Sequence, residues 1–373
     1  MRRIIIDLSF VTTNYNTGVA KYTYRFIDYI ICNKKEKEFI LLVNIVAQKH
    51  FANKYPQFEI CSIGKMWMDK LGYFKKFAFM FSFKKSVNKL SADMLFCPWS
   101  NPINALPTNK CRVVTIHDLQ IRIDKGNYKR RDLWLQNFAD SNNVSKSKLV
   151  LTISNFSKEQ ILKFFPYAKD KLLNASNSVS MKEIPSMQKI CRGYDYILYV
   201  GRMDVMKNVK TLVKAFAKVC EYKPDIKLVL ISTAWSYYDK EIAPFVIKHN
   251  LEENIVKVIN CTETELAQWY KGALLFVFPS QREGFGSPPI EAAFMNIPVV
   301  TTKCDSLEEV TMGLLNYYEP PTDDTALFNA IKNVIDNPPN NDELKSIKKT
   351  YYDNYSIDNF GQRIYNILIN LKL

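Results

Sequence analysis

Glu283 and Glu291 close the two ends of a loop in Gln281-Arg-Glu-Gly-Phe-Gly-Ser-Pro-Pro-Ile-Glu291, directly after the apolar run Ala273-Leu-Leu-Phe-Val-Phe278. Gly284 and Gly286 let the backbone approach a ligand without a Cβ in the way. Ser287 can cap a following helix, and Pro288 suits its first position, where a missing N–H costs nothing. The start of such a helix offers free N–H groups and a partial positive charge, a seat for phosphate. The carboxylates would repel phosphate; they suit hydroxyl groups, which they bind by directional, charge-assisted bonds. Hydroxyls on both sides of a phosphate describe a hexose, a diphosphate and a ribose. The plain alternative is a capping turn with two solvated glutamates.

A second stretch, Tyr199-Val-Gly-Arg-Met-Asp-Val-Met-Lys-Asn-Val209, supplies cations. Gly201 permits a tight turn, and Arg202 and Lys207 follow an apolar strand, where ligands bind in open α/β sheets. Fixed cations stabilise the charge that a departing diphosphate gains. The alternative is a surface loop with ordinary basic residues. Asn16-Thr-Gly-Val-Ala-Lys-Tyr22 places Gly18 at a helix start, where it can approach a diphosphate or serve as a plain cap. Val114-Thr-Ile-His-Asp-Leu119 places His117 at a strand end, as a sugar contact or a structural histidine, with Asp118 orienting backbone or ring. Thr152-Ile-Ser-Asn-Phe-Ser-Lys158 reads as a cap for a helix starting near Ser157. Asn260-Cys-Thr262 follows another strand and is the expected place for a nucleotide base, with Thr262 as a contact.

These residues need strands to carry them. Short continuous apolar runs at Ile4–Leu8, 39–43, Met94–Cys97, 113–116 and 149–153 read as buried strands, with helices over 22–31, 131–144 and 158–165. The pattern restarts with strands at Tyr196–Val200, 227–231, Ile255–Ile259, 274–278 and 298–301. Helices are expected over 209–220, 238–249, 263–271, 288–295 and 325–336. Continuous rather than alternating apolar strands imply parallel sheets covered on both faces, and two βα series imply two doubly wound α/β domains. The polar stretch 180–194, with Pro185 and Gly193, marks the boundary. The expected division is 1–185, 186–355 and a terminal helix, 356–373, with Phe360, Ile364, Ile367 and Leu371 on one face.

With 373 residues and 47% hydrophobic content, the chain can bury two cores. Its net charge of +14 favours polyanionic partners: nucleic acid, anionic lipid or phosphorylated ligands. No RNP-like strand, zinc finger or recognition-helix pattern supports nucleic acid. Eight cysteines show no C-x-x-C pair, which speaks against structural zinc and for reduced thiols. No Asp-x-Asp is present to chelate a divalent ion against a diphosphate. The first residues do not read as a signal peptide, and no stretch approaches the roughly 20 apolar residues of a membrane span.

The segment from Glu283 to Glu291 resembles the E-x7-E motif of retaining glycosyltransferases of family 4, whose fold is GT-B. The Gly201–Asn208 stretch is similar to the family's G-R-x(5)-K-N element, and His117-Asp118 to its His-Asp element. The resemblance covers nearly the whole chain, most closely from Tyr196 to Val310. It implies two Rossmann-like domains facing a cleft, with the last helix crossing back to the first. Carried over, Glu283 faces the transferred sugar, Glu291 takes the ribose hydroxyls, and Phe285 and Gly286 offer backbone to sugar and phosphate. Arg202 and Lys207 hold the diphosphate, and His117 contacts the donor sugar near the reacting carbon. The family often has a glycine pair where this chain has Gly18 alone. The implied reaction transfers a hexose to an acceptor hydroxyl with retention, without a metal or other cofactor. The forms of the motifs look like mannosyl- and rhamnosyltransferases of surface polysaccharide pathways, with a lean to GDP-mannose. The alternatives are a GT-B enzyme of another class, such as an epimerase, and an inactive sugar-binding partner of another transferase.

The segment 64–90 interleaves seven lysines with Trp67, Phe74, Phe77, Phe79, Phe81 and Phe83. Trp67, Leu71, Phe74, Ala78 and Phe81 form a helical stripe, while Phe79, Met80 and Phe83 fall off it. Aromatics among lysines suit an interfacial segment on anionic lipid; the alternative is a helix packed on the first sheet with a basic outer face. The expectation is a cytoplasmic protein, peripheral on the inner face of the cell membrane, acting on a lipid-linked glycan acceptor.

Overall fold

The computed structural model describes residues 2–11, 17–66, 68, 71, 74–123, 129–181 and 193–373. Its contacts divide the chain into unit 1, residues 1–178 with 357–373, and unit 2, residues 179–356. The boundary expected at 185/186 lies outside the described residues, as do Asn16 and Trp67.

Among the described residues, unit 1 builds a seven-stranded sheet in the order β3-β2-β1-β4-β5-β6-β7, every pair parallel. The strands are β1 (Ile4–Leu8), β2 (Phe39–Asn44), β3 (Glu59–Ile63), β4 (Met94–Cys97), β5 (Cys111–Thr115), β6 (Leu149–Thr152) and β7 (Leu172–Asn174). β1, β2 and β4 are buried at every position, which is why they read as unbroken apolar runs. The sequence reading missed β3 because it is an edge strand whose outer residues, Glu59 among them, face water.

The last helix, Ile357–Asn370, belongs to unit 1, where it packs on the helix Gly18–Cys32. The Phe360 and Tyr22 rings meet edge to face at 4.8 Å, Tyr29 Oη donates to Gln362 at 2.7 Å, and Arg363 donates to the Ala175 carbonyl at 2.9 Å. Its buried stripe is Phe360, Gly361, Ile364 and Leu368, a correction to the expected Ile367 and Leu371. Gly361 sits where a Cβ would strike the Tyr29 ring, and this close approach sets the rotation.

Unit 2 builds a six-stranded parallel sheet, order β10-β9-β8-β11-β12-β13, from β8 (Tyr196–Val200), β9 (Lys227–Ser232), β10 (Ile255–Ile259), β11 (Leu275–Phe278), β12 (Val299–Thr301) and β13 (Asn316–Tyr317). The order reverses between β8 and β11, and loops after two such strands diverge to leave a crevice at their C-terminal ends. The helix expected over 238–249 is two helices, Ser236–Glu241 and Ala243–Lys248. Pro244, with no N–H to donate, cannot continue the first and instead opens the second. No helix among the described residues is long and apolar enough to cross a membrane.

Candidate functional site

The two stretches richest in candidate residues leave adjacent strands of unit 2, β8 and β11, at the point where the strand order reverses. They are laced together. Gln281 donates its N–H to the Met206 carbonyl at 2.8 Å, and Ser280 Oγ reaches the same carbonyl at 3.3 Å. Asn208 holds a left-handed backbone, φ 55°, which asparagine tolerates. Its amide donates to the Pro279 carbonyl at 3.1 Å and the Pro321 carbonyl at 2.6 Å. Asp204 turns the chain by accepting the Lys207 N–H at 3.0 Å. This turn delivers Lys207 Nζ to Glu283 Oε1 at 2.5 Å, and 5.6 Å from the centre of the Phe278 ring.

Neither glutamate of the opening motif is a solvated surface group. Glu283 is 8% exposed and Glu291 9%, so the plain alternative of a capping turn with solvated carboxylates does not hold. Glu291, on the helix Ser287–Phe294, accepts from Tyr270 Oη at 3.3 Å. Burial beside that carboxylate lifts the Tyr270 phenol well above its usual range and keeps it a neutral donor. The cap of this helix is Gly286, at φ 85°, a correction to Ser287, which is its first residue. A Cβ at position 286 would run into the Leu307 side chain, so this turn requires glycine. Phe285 buries its ring edge to face against Tyr355 at 5.4 Å. Its side chain is structural, and only its backbone is left to meet a ligand.

Gly201 is needed for a different reason from the expected tight turn. A Cβ there would lie 2.7 Å from Tyr199 Oη, which donates to the Arg202 carbonyl at 2.8 Å. Arg202 is largely exposed, with Nη2 3.5 Å from Asp204. Thr262 caps the helix Glu263–Gly272, its hydroxyl and N–H both bonded to Glu265, whose carboxyl those bonds hold below its usual range. The Thr262 hydroxyl is thus already committed to the cap.

His117 and Gly18 belong to unit 1. Gly18 opens its helix behind the cap Thr17, exposed and with open space where a Cβ would stand. Tyr22, one turn on, sets its ring edge to face against His117, centroids 4.9 Å apart. His117 Nε2 lies 2.8 Å from the Pro98 carbonyl. A carbonyl only accepts, so Nε2 carries the proton and Nδ1 presents a lone pair. Burial pushes the imidazole down to about 4, so it is neutral at pH 7. Asp118 accepts the Gln120 N–H at 3.1 Å. The stretch Thr152–Lys158 does supply a cap, Ser154, though its helix, Asn155–Phe164, starts two residues before the expected Ser157, and the Ser157 hydroxyl donates to the His117 carbonyl at 3.0 Å.

Sequence reasoning missed the residues behind Glu283. Asp305 Oδ2 accepts the Glu283 N–H at 3.1 Å, and Ser306 Oγ donates to the Glu283 carbonyl at 3.0 Å. Thr302 Oγ1 donates to the Ser280 carbonyl at 2.6 Å. One loop after β12 therefore grips the motif loop at three points. The only hint in the sequence is a polar run directly behind an apolar strand.

Residues 180–351 match the family model described as glycosyl transferases group 1. Over 271 residues the chain is 28% identical to O-antigen chain mannosyltransferase RfbU of Salmonella typhimurium, covering 72% of each chain. It is 27% identical to O-antigen chain mannosyltransferase B of Escherichia coli, over 53% of this chain and about half the length, 54%, of that relative. Among solved structures it resembles sucrose-phosphate synthase of Thermosynechococcus elongatus, TM-score 0.78 at 16% identity over 99% of this chain and 98% of that one. It also resembles Anabaena HepE, solved with UDP and glucose, TM-score 0.75 at 15% identity over the whole of both chains. The fold that these likenesses show is GT-B.

Proposed function

We propose that this chain, which belongs to the group 1 glycosyltransferases through residues 180–351, moves one hexose from a nucleotide-diphosphate sugar to a hydroxyl of a glycan acceptor. The observation that carries the reading is the pair of buried carboxylates, Glu283 and Glu291, on either side of the glycine turn, with Lys207 held against the first. Buried carboxylates bind hydroxyls strongly, and a helix N-terminus between them receives phosphate. Glu291 takes the ribose, Glu283 the hexose, and the backbone of Phe285 and Gly286 the atoms between. The mannosyltransferase relatives support mannose as the hexose, in O-antigen or related surface polysaccharide synthesis; GDP as its carrier rests on the motif resemblance alone. The acceptor carries a lipid, and the chain works peripherally at the inner face of the cell membrane.

In the reaction the bond from the anomeric carbon to the diphosphate oxygen breaks, its electron pair leaving with the diphosphate. The acceptor oxygen attacks the same face and gives its proton to the departing phosphate, so configuration is retained. Lys207 and Arg202 take the charge that develops on the leaving group, in place of a metal ion. Such a donor is worth on the order of 2.7–4 kcal/mol in the barrier. His117, neutral, offers Nδ1 as an acceptor to a sugar hydroxyl rather than acting as an acid.

The test is incubation of the purified chain with GDP-mannose labelled in the sugar and a bacterial lipid extract. Label should pass into the lipid fraction with EDTA present. Transfer only from another nucleotide sugar would replace the donor, and no transfer from any would overturn the reading.

A further inference from the structure

The helix Lys75–Lys89 is apolar on two opposite faces. Phe79, Met80, Phe83 and Val87 point into unit 1 and are buried. The stripe read from the sequence lies on the outer side: Phe74 is 73% exposed and Phe81 65%. Phe74 and Phe81 stand two turns apart, with Ala78 between them, and Lys85 continues the line one turn further. A neighbouring helix, Arg130–Lys146, adds Trp134, 56% exposed and stacked on Phe138 at 5.8 Å. The two helices are fixed side by side by the ion pair from Lys76 to Asp132 at 3.0 Å and by a shared cluster holding Met80, Phe138 and Ala139. Arg130 and Arg131, at the start of the second helix, are exposed as well.

We propose that this two-helix face docks unit 1 on an anionic bilayer, with Phe74, Phe81 and Trp134 entering the headgroup boundary. This rests on the acceptor reading above, which requires the chain to reach a lipid. Contiguous exposed apolar groups mark interaction surfaces, and the charge around them selects the partner. Protein interfaces are depleted in lysine at their centres. Lysines beside outward aromatic rings suit a surface of lipid phosphates, because their stems lie along apolar groups while the ammonium reaches the anion. The chain's net charge of +14 acts in the same direction.

The test is co-sedimentation of the full chain with vesicles containing phosphatidylglycerol and with pure phosphatidylcholine vesicles. Binding is expected to the first, weakening as salt rises to about 0.15 M, where screening sets in beyond ~8 Å. Replacing Lys75, Lys84 and Lys85 by Gln should lower the partition constant on the order of a hundredfold. Phe81→Ser with Trp134→Ser should lower it at every salt concentration, because apolar contact rather than charge is lost. Equal melting temperatures would show that the variants fold. Equal binding to both vesicle types, or binding that neither variant weakens, overturns the proposal. Nucleotide-induced melting shifts on the same samples separate the two readings. A chain that binds nucleotide but no vesicle loses this surface alone, and one that binds vesicles but no nucleotide loses the donor reading alone.

Discussion

Lys207 and Glu283 lie 76 positions apart in sequence, yet Nζ and Oε1 meet at 2.5 Å, with side chains 13% and 10% exposed. The cation assigned to the leaving diphosphate and the carboxylate assigned to the hexose thus form one ion pair. Removing one partner of such a pair leaves an uncompensated charge, which typically costs about 3–5 kcal/mol. Lys207→Ala should fall near the lower end, because the pair keeps some contact with water. The double variant Lys207→Ala, Glu283→Gln should recover much of that stability and none of the activity. Urea unfolding of both, beside a transfer assay, separates the two effects; activity in the double variant would contradict the assigned roles.

His117 makes a prediction about pH. Its folded-state value, about 4, lies below the ordinary 6.5 of an unfolded histidine. Between those values the unfolded chain holds more protons, so this group's contribution is complete above 6.5 and is lost as pH falls toward 4. The loss is on the order of 3 kcal/mol. Asp140 works in the opposite direction, since burial raises its carboxyl to about 6; its contribution is present below 3.8 and lost as pH rises through 6. The informative quantity is therefore the difference between wild type and His117→Asn. That difference should shrink from pH 7 to pH 4.5 in denaturant titrations, and a constant difference would show an ordinary, unburied imidazole.

Gly201 and Tyr199 should be coupled. Gly201→Ala places a Cβ against the Tyr199 hydroxyl and should lower the melting temperature. Tyr199→Phe removes the obstructing oxygen and should partly restore it. Additive losses in the double variant would show that the collision is not the cause.

The loop behind Glu283 offers a separate test. Asp305→Ala and Ser306→Ala remove the bonds that hold the Glu283 peptide groups, without touching its carboxylate. Positioning at this level is worth about a hundredfold in rate when it slips by an ångström. Lower kcat with unchanged melting temperature is expected; a loss that tracks stability alone would make the loop a structural brace.

What the sequence disclosed follows physical rules. Strands buried on both faces announce themselves as unbroken apolar runs, so β1, β2, β8 and β11 were legible. Glycines and prolines beside paired acids marked the loops where ligands approach backbone. Contacts made across the fold left no local trace: nothing near Glu283 names Lys207, Asp305 or Ser306 as its partners. The helix Lys75–Lys89 carries apolar residues all round, so periodicity could not say which face enters the core. Gly201 was picked out for a tight turn, and nothing local announced that the side chain of Tyr199 stands where its Cβ would be.

Melting of the wild-type chain with GDP, UDP, ADP and dTDP in turn, with and without EDTA, tests the central claim most directly. A ligand at 100 times its Kd adds about 2.7 kcal/mol of stability. The account predicts a rise with GDP that EDTA leaves unchanged and that Glu291→Ala abolishes. No rise with any nucleotide would contradict it.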